Sequence, residues 1–320
     1  MNAVMPLIDL RPPVEDMLSE VCRGLAQTPK RISSKYFYDA RGSALFEQIC
    51  AQPEYYLTRT ELGILQQQIG AIAEALGPDV LLIEFGSGSG IKTERLLRGM
   101  RTPVAYVPID ISRSALRASA EALRQALPGV PIIPVCADFT QALSLPTAPR
   151  PTKRRVLFFP GSTLGNFSTD DALALLRRMR QVVGTGGAVL IGLDMKKSVE
   201  RLEAAYNDAA GVTAEFTLNL LVRLNRELGA DFAVDRFRHR ARYNRLAGRI
   251  ETHLLSQCRQ QVSLDGQRFE FAAGEAMLVE YSAKYDQTDV ERMASKSGLA
   301  VERVFSDAEG DFSLQLLSAV

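Results

Sequence analysis

The sequence predicts an α/β protein: a doubly wound, Rossmann-like sheet with an α+β section inserted before the sheet is complete. Three observations predict it. Leu81-Leu-Ile-Glu-Phe-Gly-Ser-Gly-Ser-Gly-Ile-Lys92 runs from an apolar strand through three glycines into a helix. From there to about residue 195, short apolar runs alternate with helical periodicity, as in a sheet covered by helices. Past that point the alternation breaks, and the runs flanking Asp265-Gly266 read as an antiparallel hairpin.

Composition narrows the classes. The chain has 320 residues, enough for two domains, and its apolar fraction of 46% is that of a globular protein. A formal net charge of +1, with no basic stripe interleaved with aromatics, argues against a nucleic-acid partner. Cys22, Cys50, Cys136 and Cys258 are scattered, and His239 and His253 lie far apart, so no metal site is expected. Reduced thiols suit the cytoplasm. The N-terminus carries Asp9, Arg11, Glu15 and Asp16 without a long apolar core, so no signal peptide is expected. No apolar run is long enough to span a bilayer, and a monomer is expected.

In order, Val14 to Leu25 has helical spacing, and Gly42-Ser43 leads into a short helix, Ala44 to Ala51. A helix is expected from Thr60 to Leu76, with Glu61 in its first turn. After the glycine loop, the helix Ile91–Met100 precedes a strand, Val104–Asp110, and Ser112 caps a helix to about Leu127. Pro131–Cys136 and Arg155–Phe159 are the next strands, Thr169–Val183 a helix, and Ala188–Leu193 the fifth strand. In the insert, helices are expected at Val199–Ala209 and Ala214–Leu228. Strands are expected there at Phe232–Val234, Phe237–Asn244 and Arg249–Val262. A helix from Thr288 stops at Gly298, and Leu299–Ser306 with Phe312–Ala319 close the sheet as an antiparallel edge. The expected organisation is an arm at 1–60 that belongs with the substrate domain and a cofactor-binding core at 61–195. An insert at 196–285 binds substrate, and 286–320 completes the core.

Ligands of doubly wound sheets bind at the carboxyl ends of strands. Gly86, Asp110, Asp138 and Asn166 all fall at such ends. Asp110 lies about where a carboxylate accepts both ribose hydroxyls, and Asp138-Phe139 suits an adenine pocket, the acid on the exocyclic amine and the ring on the base. The third glycine comes one residue too early for the dinucleotide fingerprint. An acid two residues before Gly-x-Gly-x-Gly is instead the form found in S-adenosylmethionine-dependent methyltransferases.

Several segments together resemble the bacterial histidine Nα-methyltransferases of ergothioneine biosynthesis, over nearly the whole chain. They are Lys35-Tyr-Phe-Tyr-Asp39, Pro53-Glu-Tyr-Tyr-Leu-Thr-Arg-Thr-Glu61, Glu84-Phe-Gly-Ser-Gly88 and Gly161-Ser-Thr-Leu-Gly-Asn166. Ala204-Ala-Tyr206 through Phe216, and Glu280-Tyr-Ser282-Ala-Lys-Tyr285, continue it. The resemblance implies a class I methyltransferase core that contacts S-adenosylmethionine through Tyr38, Gly86, Lys92, Asp110, Asp138 and Phe139. It implies an amino acid held by Tyr55, Gly161, Asn166, Tyr206, Glu280 and Ser282. Asn166 and Tyr206 match the residues that anchor the α-amino-carboxylate end, and are the pair expected to serve catalysis. Glu280 and Ser282 match those on the imidazole. The implied reaction methylates the α-amino group of L-histidine, up to the trimethylated betaine hercynine. The chain departs from its relatives in having no Trp, with Val304-Phe305 where they often carry one, and in Tyr281 between the pocket acid and hydroxyl.

The residues suit that chemistry. Methyl transfer from a sulfonium to a neutral amine is an in-line displacement that needs alignment and no protein nucleophile. Asn166 has both an acceptor and a donor for an amino acid's two charged ends, and Glu280 can accept from an imidazole N–H. Other readings stay open on sequence alone. They are a methyltransferase for another amino acid or small amine, a dehydrogenase, a nucleic-acid amine methyltransferase and a non-catalytic cofactor-binding module.

Overall fold

The computed structural model describes residues 7–10, 16–88 and 90–320. The expected helix start at Val14, Arg11 and Glu15 of the N-terminus, and Ser89 of the glycine loop lie outside the described residues. The chain divides into two compact units: Met1–Val14, Arg59–Met195 and Tyr285–Val320 form the first, Glu15–Thr58 and Lys196–Lys284 the second.

The chain opens with β1 (Ile8–Asp9) and α1 (Met17–Ala26), the latter capped by the Asp16 carboxylate. α2 (Ala40–Cys50) starts before the expected Ala44, because Asp39 accepts from the Gly42 N–H at 2.7 Å and closes the first turn there. α3 (Leu57–Leu76) follows, with one non-helical residue at Gln68. β2 (Val80–Phe85) and α4 (Ile91–Gly99) flank the glycine loop. β3 (Ala105–Asp110) leads to α5 (Arg113–Ala126), where the Ser112 side chain accepts from the Ala115 N–H. The strand expected at Pro131–Cys136 shrinks to β4 (Val135–Cys136). Pro131 and Pro134 have no N–H for a ladder, and Ile132 makes only an isolated bridge to Tyr106.

β5 (Arg154–Phe159), α6 (Thr169–Val183) and β6 (Ala188–Asp194) complete the alternation. α7 (Val199–Ala204) is shorter than expected and α8 (Val212–Leu228) slightly longer. Phe232–Val234 is not a strand: the Asn225 side chain takes both backbone groups of Phe232 at 2.8 Å, leaving neither for a ladder. β7 (Phe237–Asn244) follows as expected. The single strand expected at Arg249–Val262 is two, β8 (Arg249–Ser256) and β9 (Gln260–Leu264), which belong to different sheets. β10 (Gln267–Phe271), β11 (Ala276–Ala283), α9 (Gln287–Lys296), β12 (Leu299–Ser306) and β13 (Phe312–Ala319) complete the chain.

In the first unit the eight strands run in the order β1-β4-β3-β2-β5-β6-β13-β12. The pairs from β1 to β6 are parallel, and β13 is antiparallel to both β6 and β12. Ile8–Asp9 thus extends this sheet beside β4, within the first unit. β2 and β6 are buried along their whole length, which is why they read as continuous apolar runs. Strand order reverses between β2 and β5, so the loops leaving those two strands open at the switch point where such sheets bind ligands.

In the second unit β11, β8 and β7 form an antiparallel sheet, and β9 pairs with β10. Phe232, Phe237 and Phe271 pack edge to face at 5.3–6.3 Å in its core. Among the described residues no helix is long and apolar enough to cross a membrane.

The β9–β10 turn holds Asp265 at φ 50° and Gly266 at φ 71°, both left-handed, which matches the twist of a tight hairpin. Gly266→Val is expected to destabilise the chain by about 1–2 kcal/mol in urea denaturation, and Asp265→Asn by much less, since Asn tolerates that region.

Candidate active site

At the switch point of the first unit, the chain leaves β2 through Gly86 at φ 75° and Gly88 at φ 46°. A Cβ on either would meet no atom within 4 Å, so bare backbone faces open space. The Gly86 N–H donates to the Ile109 carbonyl at 2.9 Å, tying this exit to that of β3. Asp110 ends β3 half-buried and accepts from the Ser112 N–H at 2.9 Å. Burial raises its pKa against the pull of the neighbouring backbone N–H groups. Asp138 Oδ1 accepts from the Thr140 N–H at 2.8 Å and its hydroxyl at 2.7 Å. The Phe139 ring stacks on Phe85 at 5.0 Å and 12°, with Phe159 edge-on at 6.3 Å.

Glu61 organises the neighbouring exit. Its carboxylate is 0% exposed, pairs with the Lys92 ammonium, and accepts the Gly161 N–H at 2.9 and 3.0 Å. A Cβ on Gly192 of β6 would collide with Glu61 Oε1, so glycine there is a condition for seating the acid. Gly161 turns the chain at φ 79°, and Ser162 follows in the same left-handed region at φ 55°, its hydroxyl accepting from the Asp194 N–H at 3.0 Å. Asn166 sits half-buried at the end of the single 3₁₀ turn Thr163–Asn166.

The motif acid Glu84 is buried inside the sheet, accepting from the Tyr106 and Thr93 hydroxyls, the latter at 2.8 Å. Burial pushes its pKa up to about 8, so at neutral pH it is mostly the neutral acid, and it ties β2 to β3 and α4.

The second unit gathers Tyr38, Tyr55, Tyr206, Glu280 and Ser282. Tyr55 is buried edge-on to Tyr206 at 6.3 Å and to Phe46 at 6.2 Å. Tyr38 keeps its ring edge-on to Phe46 and Phe216 at 5.7 Å and is partly exposed. The Tyr206 and Ser282 hydroxyl oxygens lie 2.6 Å apart, and the Lys284 ammonium donates to them at 2.8 and 2.9 Å. His239 fixes Tyr206 from behind: its Nε2–H donates to the Tyr206 carbonyl at 2.8 Å and Nδ1 accepts from Thr217 at 2.9 Å. Strand periodicity puts Glu280, Ser282 and Lys284 on one face, and Tyr281 on the other beneath Arg249. Glu280 lies opposite Thr252 of β8, just after a register shift in β11. Burial pushes its carboxyl up to about 7, against the opposing charge of Lys284.

Sequence reasoning missed three of these groups. Glu61 and Lys284 both lie in segments that carry the resemblance, Glu61 also as a first-turn helix acid, but neither is assigned a role there. His239 was weighed only as a metal ligand. Asp307, Glu309 and Asp311 bring carboxylate oxygens within 4.8 Å of one another. Asp307 spends its oxygens on its own turn, accepting from the Glu309 and Phe312 N–H groups at 3.1 and 2.8 Å.

The model of a family described as histidine-specific, SAM-dependent methyltransferases matches residues 17–319. The chain is 40% identical over 308 residues to histidine N-alpha-methyltransferase of Mycolicibacterium smegmatis, covering 94% of each chain. It is 41% identical over 302 residues to the protein of that name from Mycobacterium tuberculosis, covering 93% of each. It is 28% identical to ergothioneine biosynthesis protein 1 of Neurospora crassa, over 91% of this chain and 33% of that one.

Glu61→Gln keeps an acceptor for Gly161 but removes the charge that balances Lys92. Stability is expected to fall by about 3–5 kcal/mol. The Kd for S-adenosylhomocysteine, read by calorimetry, is expected to rise by at least about tenfold.

Proposed function

The chain belongs to the family of histidine-specific, S-adenosylmethionine-dependent methyltransferases, and on that premise we propose that it methylates the α-amino group of L-histidine, up to the trimethylated betaine hercynine, as the first step of ergothioneine biosynthesis. The observation that carries the choice of amino acid is the face shared by Glu280 and Ser282. A half-buried acid and a buried hydroxyl stand two residues apart on one strand and suit a ring with two polar edges. An apolar ring there would leave Glu280 unpaired, at a cost of about 2–7 kcal/mol. The scattered cysteines, with no Cys-x-x-Cys pair among them, suit a reducing, cytoplasmic site.

The loop residues fit the methyl donor. The open backbone at Gly86 and Gly88 admits a bulky group, the Asp110 carboxylate suits a ribose diol, and the Phe139 face suits adenine. When bound, S-adenosylmethionine supplies an electrophilic methyl on a sulfonium centre. Asp138 Oδ2 is left to accept from the adenine amine while Oδ1 serves Thr140. Lys92, held by Glu61, and Tyr38 are further contacts to the donor.

Asn166 and Tyr206 hold the amino-carboxylate end and orient the amine, the role that serves catalysis. Gly161 presents backbone to the amino acid, and Tyr55 closes on it. Alignment of a neutral amine supplies most of the rate, with no covalent intermediate on the protein. Successive methylations require the amine to turn between rounds, and an aromatic face such as that of Tyr38 tolerates the growing cationic product.

Turnover with histidine, tyrosine and tryptophan, with added methyls counted by mass, tests the reading; inert histidine would sink it. Glu280→Ala is expected to weaken histidine binding by at least about 100-fold while the Kd for S-adenosylhomocysteine holds. Asp110→Ala is expected to do the reverse.

The acid also predicts a pH dependence. Glu280 becomes a full acceptor as pH rises through about 7, so histidine affinity should rise across that point and then level. Glu280→Gln should leave only the titration of the ligand's own ring. For stability the sign is opposite. From its ordinary 4.5 to about 7 the folded chain keeps a proton that the unfolded chain has released, so this group's contribution falls with rising pH.

A further inference from the structure

Lys284 lies just past the end of β11 and is 2% exposed, a rare degree of burial for a lysine. Its Nζ stands 2.8 Å from the Tyr206 hydroxyl and 2.9 Å from the Ser282 hydroxyl, 4.7 Å over the Tyr206 ring. Those two oxygens are 2.6 Å apart, closing a triangle of three polar side chains, all under 7% exposed.

The triangle has a direction. An ammonium has donors and no acceptor, so both oxygens must accept from Nζ. Either oxygen of the Tyr206–Ser282 pair can donate; the phenol, as the stronger acid, is assigned the donor role, and Ser282 accepts. Ser282 Oγ then receives two hydrogen bonds, one from Lys284 and one from Tyr206. Both its lone pairs are occupied, and its own proton is the only function left to offer. A serine without Lys284 could rotate and serve as donor or acceptor.

We propose that Lys284 is a positioning residue that fixes Ser282 as an obligate hydrogen-bond donor, so that the pocket selects a ring bearing a bare, unprotonated nitrogen. The inference rests on the placement of the imidazole beside Glu280 and Ser282 proposed above. Glu280 reads an N–H and Ser282 reads a lone pair, and together they require the neutral imidazole, which carries one of each. An imidazolium has no lone pair for Ser282. A pyrrole or indole has the N–H but no bare nitrogen, and a phenyl ring has neither. The same charge favours the ionised form of Glu280, so one lysine sets the polarity of both contacts.

The test uses the full chain with L-histidine and the 2- and 3-pyrrolyl analogues of alanine, which keep one ring N–H and replace the other nitrogen by CH. Wild type is expected to favour histidine over the better analogue by at least about 100-fold in kcat/KM. In Lys284→Met that ratio should fall to about tenfold or less, through histidine KM, while the Kd for S-adenosylhomocysteine stays within about threefold. Equal losses for histidine and the analogues, with the ratio kept, would make Lys284 merely structural and overturn the proposal. If Lys284→Met fails to bind S-adenosylhomocysteine, Ser282→Ala carries the test: it removes the donor itself and should collapse the same ratio, and a ratio preserved there overturns the proposal. Glu280→Ala separates the two levels. Unchanged histidine binding in that variant removes the imidazole placement and this inference with it. Lost binding there, beside a preserved ratio in Lys284→Met, removes this inference alone.

Discussion

One carboxylate, shut away from water, holds the ligand end of the sheet in shape. Glu61 reaches from α3 to the Lys92 ammonium on α4 and the Gly161 N–H after β5, in a space that only glycine at position 192 of β6 leaves open. A charge so deeply buried is tolerated because an ammonium and a backbone N–H compensate it, and losing any partner exposes the desolvation cost. The consequence is geometric. Four elements far apart in sequence meet on one side chain, and the two glycine-lined exits on either side of the switch point keep their relation. Proximity chemistry needs such rigidity more than it needs a reactive group.

The second unit follows the same rule with the sign reversed. There a buried cation, Lys284, donates to two hydroxyls. A hydroxyl is normally ambivalent, and a fixed charge beside it removes the ambivalence. In both units, then, a buried ion sets the direction of the hydrogen bonds around it. Glu84 differs: as a mostly neutral acid between Tyr106 and Thr93 it joins β2 to β3 and α4 without a buried charge.

Much of the fold was legible because it is local. The hairpin at Asp265-Gly266 follows from two residues able to adopt positive φ, and the Ser112 cap from one hydroxyl at the right step. The errors were local signals overruled. Pro131 and Pro134 interrupt a run whose apolar character alone reads as a strand. Asn225 diverts the backbone of Phe232 from any ladder. The pairing of Ile8–Asp9 with β4 left no readable trace, because two residues hold too little pattern to mark a strand.

The sequence by itself determined where strands give way to glycines and acids, and so which residues stand at the ligand end of the sheet. Periodicity and turn chemistry act between near neighbours, and a linear reading captures them. Only the tertiary structure decided which polar groups meet. Glu61 finds its partners 31 and 100 residues away, and Lys284 meets Tyr206 across 78. The physical reason is that burial selects such pairs. Once the folded chain excludes water from a charge, only the groups that packing has brought to it can satisfy it.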